Sequence, residues 1–157
     1  MKIVSIDEFS RNAIMKFIIK SWESDIIVVK GKVHNMSKLS GYVAIENNEI
    51  VGLITYCIEN NECEIVSLDS INENNGIGSN LIDKVYDMAV DKKLQRIWLI
   101  TTNDNIRALK FYQRRGFNMK QIYINAVNDA RKIKPNISLV GYYDIPILHE
   151  IEFEKEL

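Results

Sequence analysis

Apolar positions recur along this chain with two periods, and the switches between them mark out its elements. Lys2 to Ile6 reads as a short first strand, and Glu8 to Trp22 as a helix that brings Phe9, Ala13, Phe17 and Ile18 inward. Ile26 to Val29 is a second short apolar run. Three strand-like runs follow, Gly41 to Glu46, Glu49 to Glu59 and Glu62 to Ser70, separated by Asn47-Asn48 and Asn60-Asn61. Paired asparagines are hairpin-turn signals, so these runs predict an antiparallel meander. From Ile77 the period changes: Ile77, Leu81, Val85, Met88 and Ala89 form one stripe while Asp83, Lys84, Asp87 and Asp91 fall mostly elsewhere, which predicts an amphipathic helix. Arg96 to Thr102 carries the buried-looking run Ile97-Trp98-Leu99-Ile100. Thr101 to Asp104 then supply turn and cap chemistry for a helix beginning near Asn105, which Gly116 ends before a strand starts at Phe117. A strand to about Asn125, a short helix over Asn128 to Lys132 and a final strand over Leu148 to Leu157 complete the reading. The last alternates Ile151 and Phe153 against Glu150, Glu152, Glu154 and Glu156, the pattern of a half-buried strand.

The run ending at Ser70 and the run starting at Arg96 are joined through one helix, so they should lie parallel through a right-handed crossover. The expected class is α/β (α+β), a mixed, mostly antiparallel central sheet with helices on both faces. With 157 residues, 46% hydrophobic content and no repeat, linker or low-complexity segment, residues 1–157 are expected to form a single domain. A net charge of -1 gives no drive toward nucleic acid or an anionic membrane, and no basic stripe is interleaved with aromatics. Met1 to Phe9 carries Asp7 and Glu8 in place of an apolar leader, and no run approaches a membrane span, so the cytoplasm is the expected location. A two-residue turn at Asn60-Asn61 would pair Ile58 with Cys63 and leave Cys57 on the opposite face, which disfavours a disulfide. His34 and His149 lack partners at metal-ligand or triad spacing, so no metal is expected and packing roles lead for both.

Chemistry enters with Gly76-Ile77-Gly78-Ser79, which joins a strand to a helix. Two glycines let the main chain turn sharply and approach an anion, and the first amides of a helix present donors and a favourable dipole to it. By itself such a pair is weak: a third glycine of a dinucleotide fingerprint would fall at Leu81, and no Gly-Lys-Ser/Thr follows. Downstream, Asn105-x-x-Ala108-x-x-x-Tyr112 places an amide, a small residue and a phenol on one helix face, leaving a groove for an extended ligand.

These residues resemble the GNAT-type N-acetyltransferase superfamily, whose core pattern is Gln/Arg-x-x-Gly-x-Gly/Ala, then a strand, then Asn-x-x-Ala-x-x-x-Tyr before Gly-Phe. The similarity runs from about Glu62 to Phe117. Glu64 to Ser70, Thr101 to Asn105, Phe111 to Phe117 and the tail from Lys134-Pro135 through Ile145-Pro146 to Glu152 look like one bacterial subgroup of unassigned acceptor. The resemblance implies a GNAT-like acyl-CoA N-acyltransferase fold and acetyl-coenzyme A as donor. Its pyrophosphate would lie on the amides of Asn74, Asn75, Gly76, Ile77, Gly78 and Ser79, and its pantetheine arm would pair with the backbone near Leu68, Asp69 and Ser70. Asn105, with Ala108 beside it, would contact the arm, and Tyr112 would protonate the departing thiolate. Where the family has Gln or Arg this chain has Glu73, whose carboxylate is expected to turn to solvent.

Acetyl transfer to an amine also needs a group that takes the amine's proton. Glu64 is the candidate, expected to share a face with Val66 and Leu68, with a solvated sheet carboxylate as the equal alternative. Asp69 is a second candidate for a base, though a backbone-bonding turn residue is the preferred reading. The Glu-rich face of the last strand could attract a cationic acceptor, though a solvated strand explains it. Arg114 and Arg115 could reach the nucleotide phosphates, though charges complementing a helix C-terminus are the preferred reading. Lys30 to Ser40 is an acceptor-side loop or an ordinary connector. The acceptor would be a small-molecule amine or a protein amine, and the reading leaves room for a homodimer. A catalytically silent acyl-coenzyme A sensor or interaction module is the other function class.

Overall fold

The computed structural model describes residues 1–73 and 75–157. The chain divides into two compact units: Met1–Ile27, His34–Ile97 and Leu157 form the first, and Val28–Val33 with Trp98–Glu156 the second. The described residues contain four α-helices and mostly antiparallel strands, a mixed α/β fold.

The chain begins with β1 (Lys2–Ser5) and α1 (Arg11–Trp22), followed by the hairpin of β2 (Ile26–Val29) and β3 (Lys32–Asn35). The first unit continues with β4 (Ser40–Glu46), β5 (Glu49–Glu59), β6 (Glu62–Ser70) and α2 (Ile77–Asp91), and it holds the first residues of β7 (Arg96–Thr102). Helix α1 starts three residues later than the periodicity predicts. Ser5 Oγ accepts from the Asp7 amide and the Ser5 amide donates to Glu8, which closes a short 3-10 turn over Ile6–Glu8. Ser10 then caps α1 by accepting from the Ala13 amide at 3.3 Å. Ile14 and Ile18 are the buried positions of α1, with Ala13 and Phe17 half-buried.

Strand order in this unit is β1-β4-β5-β6, antiparallel throughout. Both predicted hairpins are present: Asn47 and Asn48 have φ of 51° and 62°, and Asn60 and Asn61 have 54° and 61°. Consecutive left-handed residues are what a two-residue turn matched to strand twist demands. Ile58 pairs with Cys63 and Cys57 with Glu64, so the two thiols lie on opposite faces and both are free. Burial, with Cys57 and Glu64 nearby, pushes the Cys63 thiol up to about 12.

Helices cover both faces of this meander. Gly52 lies under α2 so closely that a Cβ there would come within 2.5 Å of Ile77 Cγ2. Gly52 pairs with Ser70 while its neighbour Leu53 pairs with Asp69, so Asp69 points to the other face. There Trp22, at the end of α1, donates its indole N–H to Asp69 Oδ2 at 2.6 Å.

The second unit contains most of β7, α3 (Ile106–Arg114), β8 (Asn118–Tyr123), α4 (Ala126–Ile133) and β9 (Glu150–Glu156), in strand order β7-β9-β8. Gly116, at φ 85°, ends α3, and the Phe117 amide reaches back to the Tyr112 carbonyl at 3.0 Å. Asn103 Oδ1 accepts from the amides of Leu148 and His149, both at 2.9 Å, and its Nδ2 donates to Pro146 O, tying down the segment before β9.

Strand β9 departs from its predicted half-buried form. Glu150, Glu152 and Glu154 are buried along with Ile151 and Phe153. The strand lies between β7 and β8, and its carboxylates are engaged: Lys30 Nζ and the Tyr123 hydroxyl both reach Glu152 Oε1, at 3.1 and 2.7 Å, and Lys120 Nζ reaches Glu154 at 3.3 Å. Glu150, Glu152 and Glu154 are therefore not on a solvated face, and of the four glutamates only Glu156 is exposed.

Candidate active site

In the first unit, Leu68, Asp69 and Ser70 are the last three residues of β6, paired with Ile54, Leu53 and Gly52. Asp69 is a strand residue and not a turn residue, and its carboxylate bonds the Trp22 indole in place of its own backbone. Burial pushes Asp69 up to about 6, with the Trp22 bond acting in the opposite direction. After β6 the chain enters α2 through Gly76, which caps the helix with φ 76° and no side-chain bond. The first intrahelical bond runs from the Asn80 amide to the Gly76 carbonyl at 3.0 Å. The amides of Ile77, Gly78 and Ser79 precede it at the positive end of the helix dipole. Asn75 and Gly76 are exposed, as is Glu73, while Asn74 lies outside the described residues.

Glu64 is not where simple alternation puts it. Thr55 pairs with Ser67 and Tyr56 with Ile65, which leaves Val66 as the extra residue of a β-bulge. The bulge shifts the facing by one position: Glu64, opposite Cys57, shares a face with Ser67, opposite Thr55, and with Asp69, opposite Leu53. Leu68 is on the other face. Glu64 is also buried, at 4% exposure, which removes the solvated-carboxylate alternative. Its neighbour is His34 on β3, whose Nε2 lies 3.1 Å from Glu64 Oε1. His34 is itself 3% exposed. Beside them the Thr55 and Ser67 hydroxyls bond each other at 2.6 Å. Of the segment Lys30 to Ser40, β3 and a short 3-10 turn at Met36–Lys38 take most of the length, so it is structured and not an open loop.

The second unit holds the other candidates. Asn105 is the N-cap of α3, its Oδ1 accepting from the Ala108 amide at 3.1 Å. That bond explains the Asn-x-x-Ala spacing locally: a cap side chain reaches the third helical amide. Tyr112 is 7% exposed, with its ring edge-on to Phe117 at 5.5 Å and tilted against Phe153 at 6.1 Å. Arg115 stacks on Phe111, its guanidinium 4.6 Å from the ring centroid, and Lys155 Nζ takes the Arg115 carbonyl at the end of α3. His149 Nδ1 accepts from the Asn125 amide at 2.9 Å, a packing role.

His34 is the residue that sequence reasoning passed over. Its partner lies thirty positions away on a different strand, so no local spacing signals the pair; the available signal is a histidine in the segment just before the meander that carries a candidate base. No helix of the described residues is long and apolar enough to cross a membrane, and the described residues hold no group of three or more His, Cys, Asp or Glu side chains able to bind a metal.

A strand that bulges and then feeds a glycine-opened helix, followed by a strand and an Asn-capped helix bearing a tyrosine, is the arrangement of an acyltransferase fold. The sequence profile of the acetyltransferase (GNAT) family matches residues 12–117, and the chain belongs to that family. It is 42% identical over 158 residues to YxbD of Bacillus subtilis (strain 168), a protein described as uncharacterized, covering 100% of this chain and 99% of that one. Among solved structures it is similar to a GNAT family acetyltransferase from Elizabethkingia anophelis with acetyl-CoA bound, at 25% identity and TM-score 0.69 over 78% of each chain. A Bacillus subtilis acetyltransferase in complex with CoA shares the fold, at 16% identity and TM-score 0.72 over 99% of this chain and 98% of that one.

Proposed function

We propose that residues 1–157 act as one N-acetyltransferase domain that moves the acetyl group of acetyl-coenzyme A to a primary amine by direct attack in a ternary complex. The observation that carries this reading is the passage from β6 through left-handed Gly76 into α2, which aims helix-terminal amides at an anion immediately after a bulged strand. On this reading the pyrophosphate sits on the amides of Asn75 to Ser79, with Asn74 adjoining. The pantetheine arm runs back along β6 past Ser70, Asp69 and Leu68, which carries the thioester toward the bulged Val66. Asn105 and Ala108 line the arm, Tyr112 protonates the departing thiolate and Glu64 takes or relays the amine's proton. No metal takes part in this scheme. Support for the donor comes from family membership and from the acetyl-CoA held by the Elizabethkingia anophelis relative. The acceptor is a small-molecule amine or a protein amine, and the proposed location is the cytoplasm.

Burial of the Tyr112 ring favours the second reading, a catalytically silent acyl-coenzyme A module in which that side chain only packs. One experiment separates the two: release of coenzyme A measured across an unbiased panel of amines and peptides, with calorimetric titration of acetyl-coenzyme A alongside. Transfer predicts donor binding and amine-dependent release. Binding without release on any amine would leave the silent module.

A further inference from the structure

His34 and Glu64 stand apart among the ionisable groups of the first unit. Both are almost wholly buried, and Nε2 lies 3.1 Å from Oε1, yet Nε2 has no hydrogen-bond partner among the described residues. The distance is that of a polar contact while the angle is not that of a hydrogen bond. A modest turn about the soft ring torsion of histidine aims the N–H at the oxygen without moving the backbone. Fold stability gives little reason to keep such a pair, since buried ion pairs are weak stabilisers compared with apolar residues of the same volume. Clusters of buried ionisable groups concentrate where chemistry is done.

We propose that His34 and Glu64 form one proton-holding dyad. The Nε2–H of His34 donates a hydrogen bond to the Glu64 carboxylate, which fixes the ring as the Nε2–H tautomer and leaves Nδ1 to take the proton of the acceptor amine. The inference rests on the acetyl-transfer reading and specifies how Glu64 relays the proton. In the step a bond forms between the amine nitrogen and the acetyl carbon, the carbon–sulfur bond breaks, the amine's proton passes to Nδ1, and the thiolate takes the proton of Tyr112. The imidazolium is then held beside the Glu64 carboxylate until it gives its proton to water, and Tyr112 recovers one from water. The products are an amide and a free thiol.

The full chain has only two histidines, so ¹⁵N-histidine NMR resolves both rings. His149, whose Nδ1 is tied to the Asn125 amide, serves as the internal reference. The dyad predicts a Nε2–H tautomer at His34 and a change of tautomer population in Glu64→Gln with His149 unmoved. A Nδ1–H tautomer at His34, or a pattern indifferent to Glu64→Gln, overturns it. In turnover, His34→Gln should lose ~10²–10³-fold, and added imidazole should restore at least about tenfold in His34→Gly, the range expected of a positioned base. Full activity in folded His34→Gln overturns the dyad, and so does a folded His34→Gly that imidazole does not rescue; if His34→Gly fails to fold, His34→Gln decides. Wild-type protein that binds the donor but releases no coenzyme A on any amine sinks the transfer reading instead, and the tautomer result then decides the dyad alone.

Discussion

Each unit of this protein sets a base against a buried acid, and the two pairs are built to opposite standards. In the second unit Lys30 is held by four residues: Nζ donates to Glu152 at 3.1 Å, its amide donates to Glu150 at 3.1 Å, and the ammonium lies over the rings of Trp98 and Tyr123 at 5.0 and 4.9 Å. Burial works to lower the Lys30 pKa, but Tyr123 and Glu152 outweigh it and leave it raised. Burial raises Glu150 in turn, against the pull of Lys30. In the first unit the His34 ring nitrogen faces Glu64 without a made hydrogen bond. A fully satisfied buried network fixes structure, whereas a buried group with bonding capacity in reserve can change its protonation during a reaction. On the proposed reading, the first arrangement serves folding and the second serves chemistry.

The largest effect tests the chemistry without touching either pair. Tyr112→Phe keeps the ring against Phe117 and Phe153 and removes only the hydroxyl, so turnover should fall ~10²–10⁴-fold while acetyl-coenzyme A affinity measured by calorimetry stays put. Unchanged turnover, with the chemical step limiting, returns Tyr112 to packing alone. Next comes the structural pair: Lys30→Met removes the cation that reaches buried Glu152 beside Tyr123, and because the lysine is itself partly exposed the change should cost about 1–2 kcal/mol in denaturant unfolding. Its turnover per folded molecule should stay within a few-fold of wild type, and a variant that keeps its stability but loses turnover would invert the comparison.

Asp69 gives a pH-resolved case. Burial pushes its folded pKa up to about 6 from an ordinary 3.8, so the native state binds the proton more tightly than the unfolded chain. That contribution is fully present below about pH 4 and is lost as pH rises through about 6, leaving a cost of about 2–3 kcal/mol at neutral pH. Asp69→Asn, which keeps an oxygen for Trp22, should therefore be more stable than wild type at pH 8, with the difference vanishing near pH 4. A gap that is equal at both pH values would show that Asp69 does not titrate in this way. The smallest effect is at Gly76, where a β-branched residue must hold a left-handed φ of 76°. Gly76→Val should weaken acetyl-coenzyme A by about tenfold, the equivalent of roughly 1–2 kcal/mol of backbone strain. A folded variant with unchanged affinity rules out this cradle.

Local signals read well in this sequence and long-range ones did not. Asn47-Asn48 and Asn60-Asn61 announce their hairpins because a two-residue turn needs left-handed backbone, which asparagine tolerates. The apolar stripe of α2 and the stop at Gly116 are equally local. The face of Glu64 was not legible, because the extra residue at Val66 is fixed by pairing with β5 and leaves no mark in the alternation. Nor was the burial of β9: alternating Glu and apolar residues look the same whether the charged face meets water or meets Lys30 and Tyr123. The start of α1 moved for a third reason, since Ser5 and Ser10 both offer caps and the chain uses each in turn. At the candidate site, the glycine-opened helix and the Asn105 cap were visible, and the partner of Glu64 was not.

The central claim is that the His34–Glu64 pair works as a single chemical unit. A double-mutant cycle tests it most directly: turnover of wild type, His34→Gln, Glu64→Gln and the double variant at saturating acetyl-coenzyme A, on an amine the panel has identified, with folding checked for each. Groups that act as one unit are lost together, so the double variant should be no slower than the worse single variant, to within about threefold. Losses that multiply, with each single variant slowed and the double slowed by their product, would show two independent residues and contradict the account.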